Sequence, residues 1–213
     1  MIKAIRRAYT KVITLGFSAL FLLGCAQQNQ PDQSQYYLLA SNSQVVEKTS
    51  TRSVIGLNAV TVADYINSPG IALQTGNNRI QIANFHLWAE QPDQAITRVL
   101  FSELNQRLTY SRVENGLLGR SDDWRFTLST QVDQFHGTEE GIAIFSGYWQ
   151  LKDQYSVLIS HRFNLQITIE EPGYAALVSS LRQLLDQLAQ TQAQEIQGQL
   201  EKAQRDKAKQ EQE

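Results

Sequence analysis

Few side chains in this sequence have types and spacings that could do chemistry. Cys25 is the only cysteine, so a disulfide or a two-thiol redox pair within one chain is excluded, and what remains is a single nucleophilic, acylatable sulfur. His86, His136 and His161 fall in three distant segments with no His-Glu-x-x-His spacing for a zinc ion. His86 stands near Trp88 and Glu90, and a histidine beside a carboxylate is the minimum for proton transfer, but no nucleophile or metal partner accompanies it. His161 lies on the apolar face of an alternating segment and is expected as a hydrogen-bonded core histidine; His136, beside Gly137, is expected in a turn. Asp122-Asp123 and Glu139-Glu140 are paired acids of the sort that calcium sites use, and solvated turns are their expected place. There is no Gly-x-Ser-x-Gly elbow and no phosphate-cradling glycine loop. This inventory holds no catalytic set, no metal-ligand set and no cofactor motif, so the chain is expected not to be an enzyme.

The context of Cys25 is more specific. Lys3, Arg6, Arg7 and Lys11 precede it without an acid among residues 1–11, and Val12 to Leu23 is an almost unbroken apolar run, the basic and hydrophobic regions of an export signal. Those twelve residues rise only about 18 Å as a helix, too short for a hydrocarbon core of about 30 Å. Leu22-Leu23-Gly24-Cys25 resembles the lipobox of bacterial lipoproteins, in which cleavage before the cysteine exposes it for acylation, palmitate included. Plain secretion with cleavage near Ala26 is the weaker alternative. Residues 1–24 are therefore expected to be a lipoprotein signal peptide and Cys25 the lipidation site. Ala26 follows where an aspartate would favour retention at the inner membrane, which implies the periplasmic face of an outer membrane.

Of the 19 basic residues four lie in this leader, and of the 21 acidic ones none does, leaving 15 against 21 and a net charge of −6. Such a chain is not built to coat nucleic acid. The 189 residues from Cys25 onward suffice for one domain with a sizeable core. Residues 25–35 combine the acylated cysteine with a segment rich in glutamine and devoid of large apolar side chains, expected to be a flexible tether that reaches at most about 35 Å.

The elements that must position everything else follow from periodicity. Tyr36 to Leu39 reads as a first strand, the polar stretch to Arg52 as a loop, and Val54 to Val62 as a β-branched strand. Ala63 to Gly70 is a turn or short helix closed by Pro69-Gly70, and Ile71–Gln74 with Ile80–Ile82 flank Gly76-Asn77-Asn78 as a hairpin. From Pro92 to Leu108 the period becomes 3.6, with Ile96, Val99, Leu100, Leu104 and Leu108 on one stripe. Three alternating segments follow, around Trp124–Asp133, Ile142–Leu151 and Val157–Ile169, separated by turns at Gly137–Gly141 and Lys152–Gln154; they predict an antiparallel meander. After Glu171-Pro172-Gly173 a second helix carries Leu177, Leu181, Leu184, Leu185 and Leu188 on one face, weakening toward Ile196 and Leu200. The expected fold class is α+β: a single domain with an antiparallel sheet and two main helices packed on one face, spanning residues 36–200, with a polar, charged tail at 201–213 that is a solvated helix end or disorder.

Two segments stand out from this framework. Val62-Ala63-Asp64-Tyr65-Ile66-Asn67-Ser68-Pro69-Gly70-Ile71 and Phe85-His86-Leu87-Trp88-Ala89-Glu90, the latter leading into the helix with Ile96, Arg98, Val99, Leu100 and Leu104, resemble the PqiC family of transport-associated lipoproteins. In that family a proline-preceded Tyr-Leu and then an Arg-Pro-x-Ile stretch lead through a hairpin to Arg-Trp-Ala-Glu-Pro-Leu and an amphipathic helix. Tyr37-Leu38-Leu39 and the lipobox fit as well, and the resemblance spans most of residues 25 to 190. The chain departs from the pattern at Leu87, where arginine is usual, at Gln91-Pro92 for Pro-Leu, and at Asn67-Ser68 before Pro69.

The resemblance implies an accessory lipoprotein of an intermembrane transporter that maintains envelope integrity. Its partners would be a periplasm-spanning MCE-domain protein and, through it, an inner-membrane permease moving phospholipid or other hydrophobic cargo; homo-oligomerisation stays open. Tyr65 and Glu90 are the candidate partner-binding residues, and Trp88 and Pro69 the structural ones. A second class of reading is a scaffold lipoprotein for outer-membrane protein or lipopolysaccharide assembly that handles no lipid.

Overall fold

The computed structural model describes residues 33–41, 53–116 and 121–211; Cys25, the leader and most of the tether fall outside them. In chain order the elements are β1 (Gln35–Tyr37), β2 (Ser53–Leu57), β3 (Thr61–Val62), β4 (Gly70–Gln74), β5 (Ile80–Trp88), α1 (Pro92–Arg107), β6 (Ser111–Asn115), β7 (Phe126–Thr138), β8 (Ile142–Lys152), β9 (Val157–Thr168) and α2 (Tyr174–Gln210). β7 is the spine. Along one edge it pairs antiparallel with β8, and β8 with β9, which is the expected meander. Along its other edge three short strands meet it in succession, all parallel: β2 opposite Phe126–Leu128, β3 opposite Gln131 and Val132, and β4 opposite Gly137 and Thr138. β6 extends the sheet beyond β2, and β5 and then β1 extend it beyond β4. Over the described residues the fold is α+β with two helices, as the patterning implies, and the sheet is mixed where an antiparallel one is expected.

The segment read as one strand from Val54 to Val62 is two. Leu57 faces Leu128 and Thr61 faces Gln131, so one side holds an extra residue, the signature of a bulge. There Val60 turns its N–H to Thr97 Oγ1 of α1 at 2.9 Å. A second irregularity, between Val132 and Gln134, brings the backbone of β7 against Gly147, where a Cβ would stand 2.1 Å from the Gln131 carbonyl oxygen. Only glycine fits that approach.

Both helices bury the stripes their periodicity marks. Ile96, Val99, Leu100, Leu104 and Leu108 on one side, and Leu177, Leu181, Leu184, Leu185, Leu188 and Ile196 on the other, join Trp149, Phe135 and Phe145 in one apolar cluster. Pro92 sits in the first turn of α1 with Asp93 beside it, satisfying the positional preferences of a helix start. α2 continues past Leu200 without a break to Gln210, and its last turns are exposed.

Two histidines are not where patterning puts them. His136 lies inside β7, 1% exposed, because the strand runs on to Thr138 and the Tyr65 ring stands 6.0 Å from the imidazole. His161 is exposed: it shares the apolar face of β9 and lies over the Trp149 ring at 5.5 Å, but β9 pairs with β8 alone, and an edge strand leaves that ring partly uncovered. The paired acids are surface groups, Asp122-Asp123 in a 3-10 turn and Glu139-Glu140 in the β7–β8 turn.

Candidate functional site

The three motif segments converge on one corner of the sheet. The Trp88 N–H donates to the Pro69 carbonyl at 2.8 Å, and the Ala89 N–H donates to the Tyr37 carbonyl, also at 2.8 Å. The end of β5 is thereby held between the Pro69-Gly70 turn and β1. Gly70 is required at this crossing, since a Cβ there would lie 2.1 Å from the Ala83 carbonyl oxygen.

At this corner Trp88 is a core residue, 8% exposed, stacked on Phe135 at 6.0 Å; Phe135 meets Phe145 edge-on at 5.3 Å. Pro69 is exposed and contributes its carbonyl. Tyr65 is half-buried: its hydroxyl donates to the Asp133 carbonyl at 3.3 Å, and burial, the largest influence on it, pushes its pKa up to about 12. Asn67 joins the turn to the first helix by accepting the Asp93 N–H at 3.2 Å.

Glu90 forms a two-pronged ion pair with Arg98, Nε to Oε2 at 3.3 Å and Nη2 to Oε1. Arg98 Nη2 also donates to the Leu39 carbonyl at 2.8 Å. One residue on, the Ala40 carbonyl accepts from Arg182 Nε of α2 at 2.7 Å, and Arg182 pairs with Glu103 of α1. Glu103 is 4% exposed and pairs with Arg107 at 3.3 Å, which in turn pairs with Asp186. The segment that emerges from the tether is thus stapled to both helices by arginines, with Leu39 inserted in the core at 1% exposure. Sequence reasoning placed Arg98 in the helix but assigned it and Arg182 no such role. The available signal was weak, since Glu90 and Arg98 are eight apart and span a strand end and a helix, outside the i,i+4 rule.

His86 belongs to the same corner. Its Nδ1 lies 2.9 Å from the Tyr37 hydroxyl, which also donates to Gln35 Oε1 at 2.7 Å, and its ring stacks on Tyr174 of α2 at 4.1 Å. Glu90, turned to Arg98, is not its partner. Among the described residues no cluster of three or more His, Cys, Asp or Glu side chains is placed to hold a metal, and no helix is long and apolar enough to cross a membrane. What this corner offers chemically is a rigid junction and a surface beside it.

Comparison with known proteins defines the class. Residues 36–193 match the family described as the ABC-type transport auxiliary lipoprotein component. More particularly, the chain is 32% identical over 181 residues to the intermembrane transport lipoprotein PqiC of Escherichia coli (strain K12), covering 84% of this chain and 94% of that protein; PqiC of Shigella flexneri aligns equally. The chain belongs to this family of transport auxiliary lipoproteins. A crystal structure of an uncharacterized protein, 29% identical, superimposes with a TM-score of 0.67 over 76% of this chain and 98% of that one. A Xanthomonas campestris protein at 15% identity shares the fold with a TM-score of 0.63 over 82% and 99%.

Proposed function

We propose that this protein is the outer-membrane-anchored, periplasmic accessory subunit of an MCE-type intermembrane lipid transport system. The observation that carries the reading is the alignment with an intermembrane transport lipoprotein over 84% of the chain, including the Tyr37, Pro69 and Trp88 segments that meet at one corner. In this reading residues 1–24 are the signal peptide, Cys25 carries the lipid, the stretch to residue 35 is the tether, residues 36–200 are the domain, and 201–213 form a polar tail. Tension on the tether arrives at β1 and is borne by Leu39 in the core and by the Arg98 and Arg182 staples. The subunit gives the periplasm-spanning MCE protein, and through it the inner-membrane permease, a fixed point at the outer membrane. Tyr65 and Glu90, half-buried around the Pro69–Trp88 junction, are the docking residues of this proposal.

The test is affinity purification of the tagged, acylated protein from solubilised membranes, with identification of what accompanies it. Recovery of an MCE-domain protein and its permease supports the reading. Recovery of outer-membrane assembly machinery without an MCE protein replaces it with the scaffold alternative.

A further inference from the structure

We infer that the outer face of β1 and β5 rests on the lipid surface to which Cys25 is anchored. Pairing register defines this face. Tyr36 stands opposite Leu87, and Tyr37 opposite Trp88; because successive side chains in a strand point to opposite faces, Tyr37, His86 and Trp88 turn inward while Tyr36, Leu38, Phe85 and Leu87 turn outward. The inward set is the hydrogen-bonded and stacked group described above. The outward set is open: Tyr36 is 65% exposed, Phe85 59% and Leu38 54%, and Leu87 is half-buried beside them. Three large apolar side chains exposed together on one small face are unusual on a soluble surface, and neither strand contains a lysine, arginine, aspartate or glutamate, so no ionised group need be desolvated when the face is covered.

The chain outside the structure identifies what covers it. Only nine residues separate Cys25 from Gln35 at the start of β1, which limits the reach to about 35 Å, so this is the part of the domain that the anchor holds nearest to the bilayer. Tyrosine, phenylalanine and leucine are the residues that favour the interface between headgroups and acyl chains. Lying on the membrane by this face would turn α1 and α2, which pack on the inward side of the sheet, away from the bilayer.

The inference rests on the anchor reading, and the experiment separates the two. With Cys25 acylated, an introduced cysteine is the only free thiol. L38C, F85C, Q106C and Q190C are each purified in acylated full-length form, labelled with bimane and reconstituted into vesicles of phosphatidylethanolamine and phosphatidylglycerol, with and without bromine on the acyl chains. Labels at 38 and 85 should lose most of their fluorescence in brominated vesicles, and those at 106 and 190, on the exposed sides of α1 and α2 across the sheet from this face, should keep it. If the protein floats with the vesicles but 38 and 85 are unquenched, or all four sites respond alike, the inference is overturned and the anchor stands. Disulfide-linked dimers of unlabelled L38C without quenching would assign the face to a second copy and also overturn it. A protein that does not float at all removes the anchor and this inference together.

Discussion

The Trp88 N–H donates to the Pro69 carbonyl across 2.8 Å, so the indole enters the core at the point where the turn, the end of β5 and β1 meet. Because Phe135 stacks behind it and Phe145 meets Phe135 edge-on, loss of the ring opens a cavity in the core. Trp88→Ala should cost about 3 to 5 kcal/mol of folding stability and Trp88→Phe much less, both read by denaturant unfolding. A loss under about 1 kcal/mol for the alanine variant, a typical single-mutation value, would make Trp88 a surface residue and contradict the corner described here.

The Glu90–Arg98 pair is partly exposed, with side-chain exposures of 28% and 40%, and solvent screening limits such pairs to about 1 kcal/mol or less. Arg98→Ala should cost about 1 to 2 kcal/mol, since the Leu39 carbonyl also loses its partner, and Glu90→Gln less. If Tyr65 and Glu90 dock a partner, Tyr65→Ala and Glu90→Ala weaken its capture by about 1 to 2 kcal/mol beyond what their melting temperatures explain. Capture losses that only track unfolding would assign both residues to structure alone.

Burial holds the His136 imidazole below its usual pKa, so the folded state takes up a proton on it less readily than the unfolded chain; its Nδ1 lies 3.0 Å from the Gly137 carbonyl oxygen. The unfolded chain takes up a proton first, at a pKa of about 6.5. Stability from this residue is therefore present above that pH and is lost as pH falls below it. Unfolding free energies across pH 5 to 8, the range in which histidine titrates, should show a steeper acid-side decline in the wild type than in His136→Gln. Parallel curves would contradict the assignment. For Tyr65 the sign is opposite: its hydroxyl is held neutral to about pH 12, so its contribution is full below pH 10 and disappears as pH rises from there.

Cys25→Ser should leave the domain folded and release it from washed membranes once the signal is removed. Ala26→Asp should move the protein from outer- to inner-membrane density fractions. Identical fractionation of Ala26→Asp and wild type would show that this position does not sort the protein in its host.

Both helices and the meander were legible because their periods, 3.6 and 2, were unbroken across long segments: the stripe from Ile96 to Leu108 and the alternation in β8 and β9 reappear in burial. The parallel joining of β2, β3 and β4 to β7 was not, because alternation of side chains is the same in either strand direction and pairing is decided by residues far away in sequence. His136 was hidden for a related reason: the Tyr65 turn that covers it lies about seventy residues earlier. β6 and the arginine staples on Leu39 and Ala40 likewise depend on long-range contacts that leave no local pattern. The corner itself was partly legible, since the Tyr37, Pro69 and Trp88 segments carry recognisable motifs, while the backbone hydrogen bonds that join them leave no local pattern.

If this chain is the outer-membrane docking point of an MCE protein, its anchor fixes where that protein is found in the envelope. The most direct measurement is the density-gradient distribution of that MCE protein in cells with the wild-type lipoprotein, without it, and with Cys25→Ser exported through a cleavable non-lipoprotein signal. Co-sedimentation with outer-membrane fractions is expected only in the first case. An MCE protein that fractionates identically in all three strains would contradict it.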